Sequence, residues 1–202
     1  RLKLTHDKEG IIMMIDYAIL GLLSWKPLTG YDVKRVMQDS PFLYWSGNNN
    51  QIYKALMRLL ENGFVTNEIQ YQESSPNKKI YSITESGMSE LLRWVTSEEP
   101  EVPEFKKTFL IQLSWAGCLE PEKVEELLTR YEKIMTQQLA MRREEKCREK
   151  NFPNRSKQEH FMWEMIYDNF VMMCEAELCW IQSFREGLEH LKRENKHEPQ
   201  ED

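Results

Sequence analysis

Gln51, Lys54, Ala55 and Arg58 stand at i, i+3, i+4 and i+7 in a segment whose Ile52, Leu56, Leu59 and Leu60 also recur at helical spacing. A helix there would bury the leucine stripe and present the other four along one face. Those side chains suit the edges of base pairs. Glutamine pairs with adenine, lysine or arginine with guanine or a phosphate, and an alanine methyl meets a thymine methyl. Backbone amides around Asn49 and Asn50, at the start of that helix, suit a phosphate. Taken alone, two cations and an amide describe any solvated helix. What decides for DNA reading is where this helix falls in the chain.

Two short helical patterns precede it. Ile15, Ile19, Leu22 and Leu23 form the first, which ends at Trp25-Lys26-Pro27 because proline cannot continue a helix. Thr29 is predicted to cap a second helix whose apolar set is Tyr31, Val33, Val36 and Met37. The third helix emerges from Ser46-Gly47-Asn48-Asn49-Asn50 and stops at Asn62-Gly63. Two strands follow, one over Phe64–Tyr71 and one at Lys79–Ile83, joined by the polar turn Glu73–Lys78. Thr84-Glu85-Ser86-Gly87 then opens a fourth helix. The order of three helices, a hairpin and a helix is that of a winged helix-turn-helix, with the third helix as its reading element. Lys78 and Lys79 sit at the hairpin beside that helix, where they suit phosphates.

The fold class is therefore mainly α: a winged helix-turn-helix N-terminal domain plus a long-helix C-terminal dimerisation domain. Residues 1–12 read as a leader or extension and 13–96 as the DNA-binding domain. Residues 97–104, with two prolines and four acids, read as a linker. Residues 105–193 follow as a helical dimerisation domain and 194–202 as a polar tail. Its last two helices would run roughly 45 and 55 Å, too long to bury their apolar faces within one chain. The stripe that would meet a second copy includes Phe161, Met165, Phe170, Met173, Trp180, Ile181 and Phe184.

Five motifs carry a family resemblance. They are Met14–Leu23, Thr29-Gly30-Tyr31-Asp32-Val33, Asn50–Leu56, Leu59–Val65 and Lys79–Gly87. In this order and spacing they resemble the PadR family of transcriptional regulators, and the C-terminal half resembles the longer, virulence-activator type. The resemblance implies a homodimer on an inverted-repeat operator in double-stranded DNA. Each subunit would place its third helix in the major groove with the wing alongside, and most members repress. It also implies a DNA-backbone contact for Tyr53. Some members hold flat molecules between tryptophans, which makes Trp115 and Trp163 candidate contacts for a small-molecule effector; their plainer reading is as core and interface anchors. The alternative is a winged helix that docks on protein and leaves DNA alone, which would not call for a polar, basic third helix.

Composition bounds the rest. The 202 residues carry 27 Lys+Arg against 33 Asp+Glu, a net charge of −6 that argues against indiscriminate coating of nucleic acid. The excess acid lies beyond residue 100, so the first half is nearly neutral. The four cysteines, Cys118, Cys147, Cys174 and Cys179, have no CxxC spacing and read as reduced thiols of a cytoplasmic protein. Ile11–Trp25 is shorter than the ~20 residues of a membrane span and is broken by Asp16. His6, His160, His190 and His197 lie far apart, and no metal, phosphate-loop or dinucleotide motif occurs. The expectation is a protein with no cofactor and no catalytic residues.

Overall fold

A computed structural model describes residues 13–40, 43, 50–71, 77–99, 107–148 and 155–195, and the chain divides into two compact units, Arg1–Glu101 and Val102–Asp202. The leader, Trp45, Asn49, the hairpin turn and the end of the polar tail lie outside the described residues.

The first unit runs α1 (Met14–Trp25), β1 (Leu28–Thr29), α2 (Gly30–Asp39), α3 (Asn50–Glu61), β2 (Val65–Gln70), β3 (Lys78–Ile83) and α4 (Glu85–Ser97). Its helices start and stop for identifiable reasons. The Met13 amide donates to the Asp16 carboxylate at 2.8 Å across the first turn of α1. Thr29 caps α2 by accepting from the Asp32 amide at 3.1 Å, and its hydroxyl donates to the Asp32 carboxylate at 2.6 Å. Ile15, Ile19, Leu20, Leu23, Val33, Met37, Leu56, Leu59 and Val65 make up the core. Tyr31, predicted on the inner face of α2, instead points outward and is 64% exposed.

The sheet has three strands in the order β1–β3–β2, all antiparallel, with Leu28 opposite Tyr81 and Val65 opposite Ile83. β1 is an addition to the sequence reading. Two residues are too few to show an alternating pattern, and this strand exists through pairing with β3 alone.

The Thr84–Gly87 motif is a clasp. The Thr84 amide donates to the Phe64 carbonyl at 3.0 Å, and the Thr84 and Ser86 hydroxyls donate to the Gly63 carbonyl at 2.8 and 3.0 Å. Thr84 Oγ1 meanwhile accepts from the Gly87 amide as the N-cap of α4. A β-carbon at Gly87 would lie 2.1 Å from the Phe64 carbonyl oxygen, so only glycine lets α4 seat against the turn that ends α3. Farther along α4, Trp94 stacks on Tyr17 of α1 at 4.6 Å, and the Tyr17 hydroxyl donates to Glu90 at 2.9 Å. Burial, then the bond to Glu90, pushes the Tyr17 phenol up to about 12. Hydrogen bonds from Arg93 hold the Glu90 carboxyl below its ordinary range.

The second unit contains α5 (Thr108–Ser114), a 3₁₀ turn at Ala116–Cys118, α6 (Pro121–Arg148) and α7 (Lys157–Asn195). Pro121 opens α6, where its missing amide hydrogen is not needed. Phe109 stacks on Tyr131 at 3.8 Å and meets the edge of Trp180 at 6.1 Å. Burial pushes Glu177 up, but Lys107 and Tyr131 donate to it and hold it below the usual carboxylate range, tying α6, α7 and the residue preceding α5 together.

This packing corrects the proposed dimer stripe. Ile181 is fully buried and so belongs to the core of this unit, while Trp180 and Phe184 pack against the same cluster and stay half-exposed. Phe161, Met165 and Met173 are exposed, joined by Met162, Ile166 and Met172; Phe170 is half-buried. At 100° per residue the six exposed side chains fall within an arc of about 140°. Cys118 and Cys179 are exposed and Cys174 is buried. Among the described residues no helix is long and apolar enough to cross a membrane, and no group of three or more His, Cys, Asp or Glu is placed to hold a metal ion.

Gly87→Ala should lower stability by about 3 kcal/mol, the upper end of what forced overpacking costs. Gly21→Ala in α1, where a β-carbon meets nothing within 4 Å, should raise it by up to about 1 kcal/mol. Urea unfolding of the two variants checks the contrast.

Candidate nucleic-acid interface

α3 buries its leucine side and is stopped by a glycine for a structural reason. Ile52, Leu56 and Leu59 are buried, and Ala55 beside them is buried completely. At the C-terminus the Gly63 amide donates to the Leu60 carbonyl at 3.0 Å and the Phe64 amide to Leu59 at 2.9 Å. That pair of bonds requires a left-handed residue, and Gly63 supplies it with φ of 70°. The chain then turns directly into β2, so the wing is fixed to the end of α3.

The rotation of α3 about its axis is set in part by a charge. Asp16, at 1% exposure, accepts from Arg58 Nη2 at 2.7 Å and from Arg58 Nε at 3.2 Å, besides the Met13 amide. This two-pronged pair joins α1 to α3 across the core. Arg58 is therefore a positioning residue that gives Nε and Nη2 to Asp16 while its side chain remains 28% exposed.

One correction to the sequence reading follows: Ala55 lies in the core and offers no methyl to a groove. Arg58 is drawn toward Asp16 and half-exposed, with Nε and Nη2 committed to that carboxylate. Asn49 lies outside the described residues. Asn50, Gln51, Tyr53 and Lys54 are exposed together on the first turns of α3. Met57 and Glu61, which the sequence reading passed over, share that face. Directions at 100° per residue place Asn50, Lys54, Met57 and Glu61 within about 60° of one another, opposite Ile52, Leu56 and Leu59. The signal was present: the centre of the buried stripe fixes the centre of the exposed face.

Tyr53 lies against Gly30 at the start of α2 and remains 46% exposed. Neighbouring Tyr81 is pushed above its ordinary value by burial and by the nearby Tyr53. Lys78 and Lys79 are exposed, on the first rungs of β3 opposite Gln70 and Ile69, and so belong to the strand as much as to the turn. The Lys79 ammonium sits 5.8 Å from the centre of the Tyr81 ring, a contact that leaves the charge at the surface. An amide-rich helix start, one lysine at the centre of its outer face and two lysines on the adjoining strand form a surface suited to phosphates and base edges.

The tryptophan candidates separate from an apolar cavity in the second unit. This cavity, of about 620 Å³, is lined by Phe109, Tyr131, Phe170 and Met173 among others, and by neither Trp115 nor Trp163. Trp115 is 77% exposed at the end of α5, and Trp163 is half-buried on α7.

Removing Arg58 strands a buried carboxylate, so Arg58→Ala should cost about 3–5 kcal/mol. Lys54→Ala, on the open face, should change stability by less than about 0.5 kcal/mol. Asp16→Ala combined with Arg58→Ala should cost clearly less than the sum of the single changes, because the two groups act as a pair. Denaturant unfolding of the four variants measures this coupling.

Comparison with known proteins gives a consistent match on both units. Residues 19–93 match the transcriptional regulator PadR-like family, and residues 105–189 match the virulence activator alpha C-term family. The negative transcriptional regulator PadR of Bacillus subtilis is 32% identical over 114 residues, which are 56% of this chain and 63% of that one. The chain thus spans just under two thirds of that relative by sequence. The crystal structure of Bacillus subtilis PadR in complex with operator DNA is similar with a TM-score of 0.73 at 26% identity, covering 85% of this chain and 97% of that one. The structure of the Vibrio cholerae virulence activator AphA shares the fold, with a TM-score of 0.63 at 22% identity over 88% of this chain and 99% of that one.

Proposed function

The chain belongs to the PadR-like family of transcriptional regulators, and we propose that it is a homodimeric repressor that binds an inverted-repeat operator and occludes a promoter. In this reading the first turns of α3 enter the major groove. Gln51 and Lys54 face base edges, while Asn50 and the helix N-terminus face a phosphate. Tyr53 contacts the DNA backbone, and Lys78 and Lys79 hold phosphates beside it, supplying much of the affinity. Glu61, at the far end of the same face, repels phosphates and so favours entry by the N-terminal end of α3.

The observation that carries the reading is the joint exposure of Asn50, Gln51, Tyr53 and Lys54 on a helix tied to α1 by Asp16 and Arg58, with Lys78 and Lys79 exposed on the hairpin of the same unit. The homologous operator complex supports DNA as the partner. Dimerisation is supported by the exposed ridge of Phe161, Met165 and Met173 on α7, an apolar strip that a second copy would cover. A small-molecule effector belongs to the proposal as the input signal, since an apolar cavity of the second unit is of a size that takes one. The protein acts in the cytoplasm as a regulator and performs no catalysis.

Selection from a random duplex library with the purified protein tests this. The expected result is an inverted repeat whose half-site centres lie about 10 bp, one helical turn, or a multiple apart. Retention that falls with salt and yields no consensus would contradict sequence-specific reading. No retention at low salt would favour a winged helix that docks on protein.

A further inference from the structure

We infer that Met57 is a specificity-determining residue that reads the C5-methyl group of thymine in the operator half-site. The inference rests on the DNA-reading role of α3 and adds a base identity to it.

Met57 is 45% exposed at the centre of the outer face of α3, one helical turn beyond Tyr53 and Lys54. It lines a shallow depression with Asn50, Tyr53, Lys54, Arg58 and Glu61. A large thioether left in water at the centre of a charged helix face gains free energy only when an apolar surface covers it. The occupant must also tolerate the surrounding charges, Lys54 on one side and Glu61 on the other, with Arg58 already neutralised by Asp16. The major groove of DNA offers such an occupant. Among its hydrogen-bonding groups the methyl of thymine is the largest apolar projection. Lysines at 54, 78 and 79 supply the charge complement to the phosphates that flank it.

The arrangement also explains why a methionine suits this place. Its unbranched, flexible side chain can follow a methyl whose position shifts with local groove geometry. Neighbouring polar groups do not contribute to a comparison of thymine with uracil, because the two present identical donors and acceptors and differ only in the C5-methyl group.

That difference is the test. Each thymine of the selected half-site is replaced in turn by deoxyuridine, and binding is measured by fluorescence anisotropy with the full-length protein and with Met57→Ala. The unchanged protein should lose about fourfold in affinity at one thymine, the value of one buried methyl. Met57→Ala should bind thymine and uracil equally at that position, with an unaltered melting curve as expected for an exposed side chain. Equal affinity for every uracil substitution in the unchanged protein would overturn the inference. So would Met57→Ala retaining the full preference for thymine. In both of those cases the operator is still bound, so the DNA-reading role of α3 stands. Failure to obtain any operator would overturn that role and this inference together.

Discussion

A carboxylate withdrawn from water must be met by donors, and Asp16 is met by three: two from the Arg58 guanidinium and one from the Met13 amide. The pair is costly to break because either partner alone would be left without compensation in the core. Its structural consequence is rotational. The pair acts together with the buried stripe of Ile52, Leu56 and Leu59, and the two leave Asn50, Lys54, Met57 and Glu61 facing out. The orientation of that exposed face thus rests in part on a buried carboxylate of α1.

Two backbone devices then place the wing relative to that surface. Gly63 ends α3 with a left-handed residue, and the Thr84–Gly87 clasp holds the turn after α3 to the start of α4. Between them the Val65–Ile83 end of the hairpin is fixed, and Lys78 and Lys79 lie at its other end, opposite Gln70 and Ile69. The second unit solves a different problem. α6 and α7, at 28 and 39 residues, exceed what one small cluster around Phe109, Leu128 and Ile181 can cover. Part of the α7 stripe is consumed by that cluster and part is left outside.

Much of this was legible in the sequence. Element order, the Thr29 cap, the Gly63 stop and the start of α4 at Thr84–Gly87 all have local signatures, because each depends on residues within a few positions of one another; the clasp to Gly63, twenty-one positions upstream, does not. The reading fell short where the outcome depends on distant partners. Ala55 and Arg58 sit near the boundary between the two faces of α3, and helical spacing alone cannot say which way a boundary residue turns. Asp16, forty-two positions upstream of Arg58, settles it. β1 is invisible to pattern reading for the same reason, since its only cause is β3. In α7 a continuous apolar stripe has two fates: Ile181 is buried within the unit with Trp180 half-buried against it, whereas Phe161 and Met165 are exposed. Periodicity identifies the stripe but carries no information about where the neighbouring helices end.

The most direct test of the central claim is the salt dependence of DNA affinity for the unchanged protein, for Lys54→Ala, and for Lys78→Ala combined with Lys79→Ala. If these lysines neutralise phosphates or lie in the groove, the slope of log affinity against log salt falls by up to about 0.9 for each lysine that contacts a phosphate. The account predicts a drop of nearly two such steps for the wing pair, and a loss of affinity for Lys54→Ala. Plots that coincide with that of the unchanged protein for both variants would mean that DNA lies elsewhere, and would contradict the assignment of α3 and the wing as the reading surface.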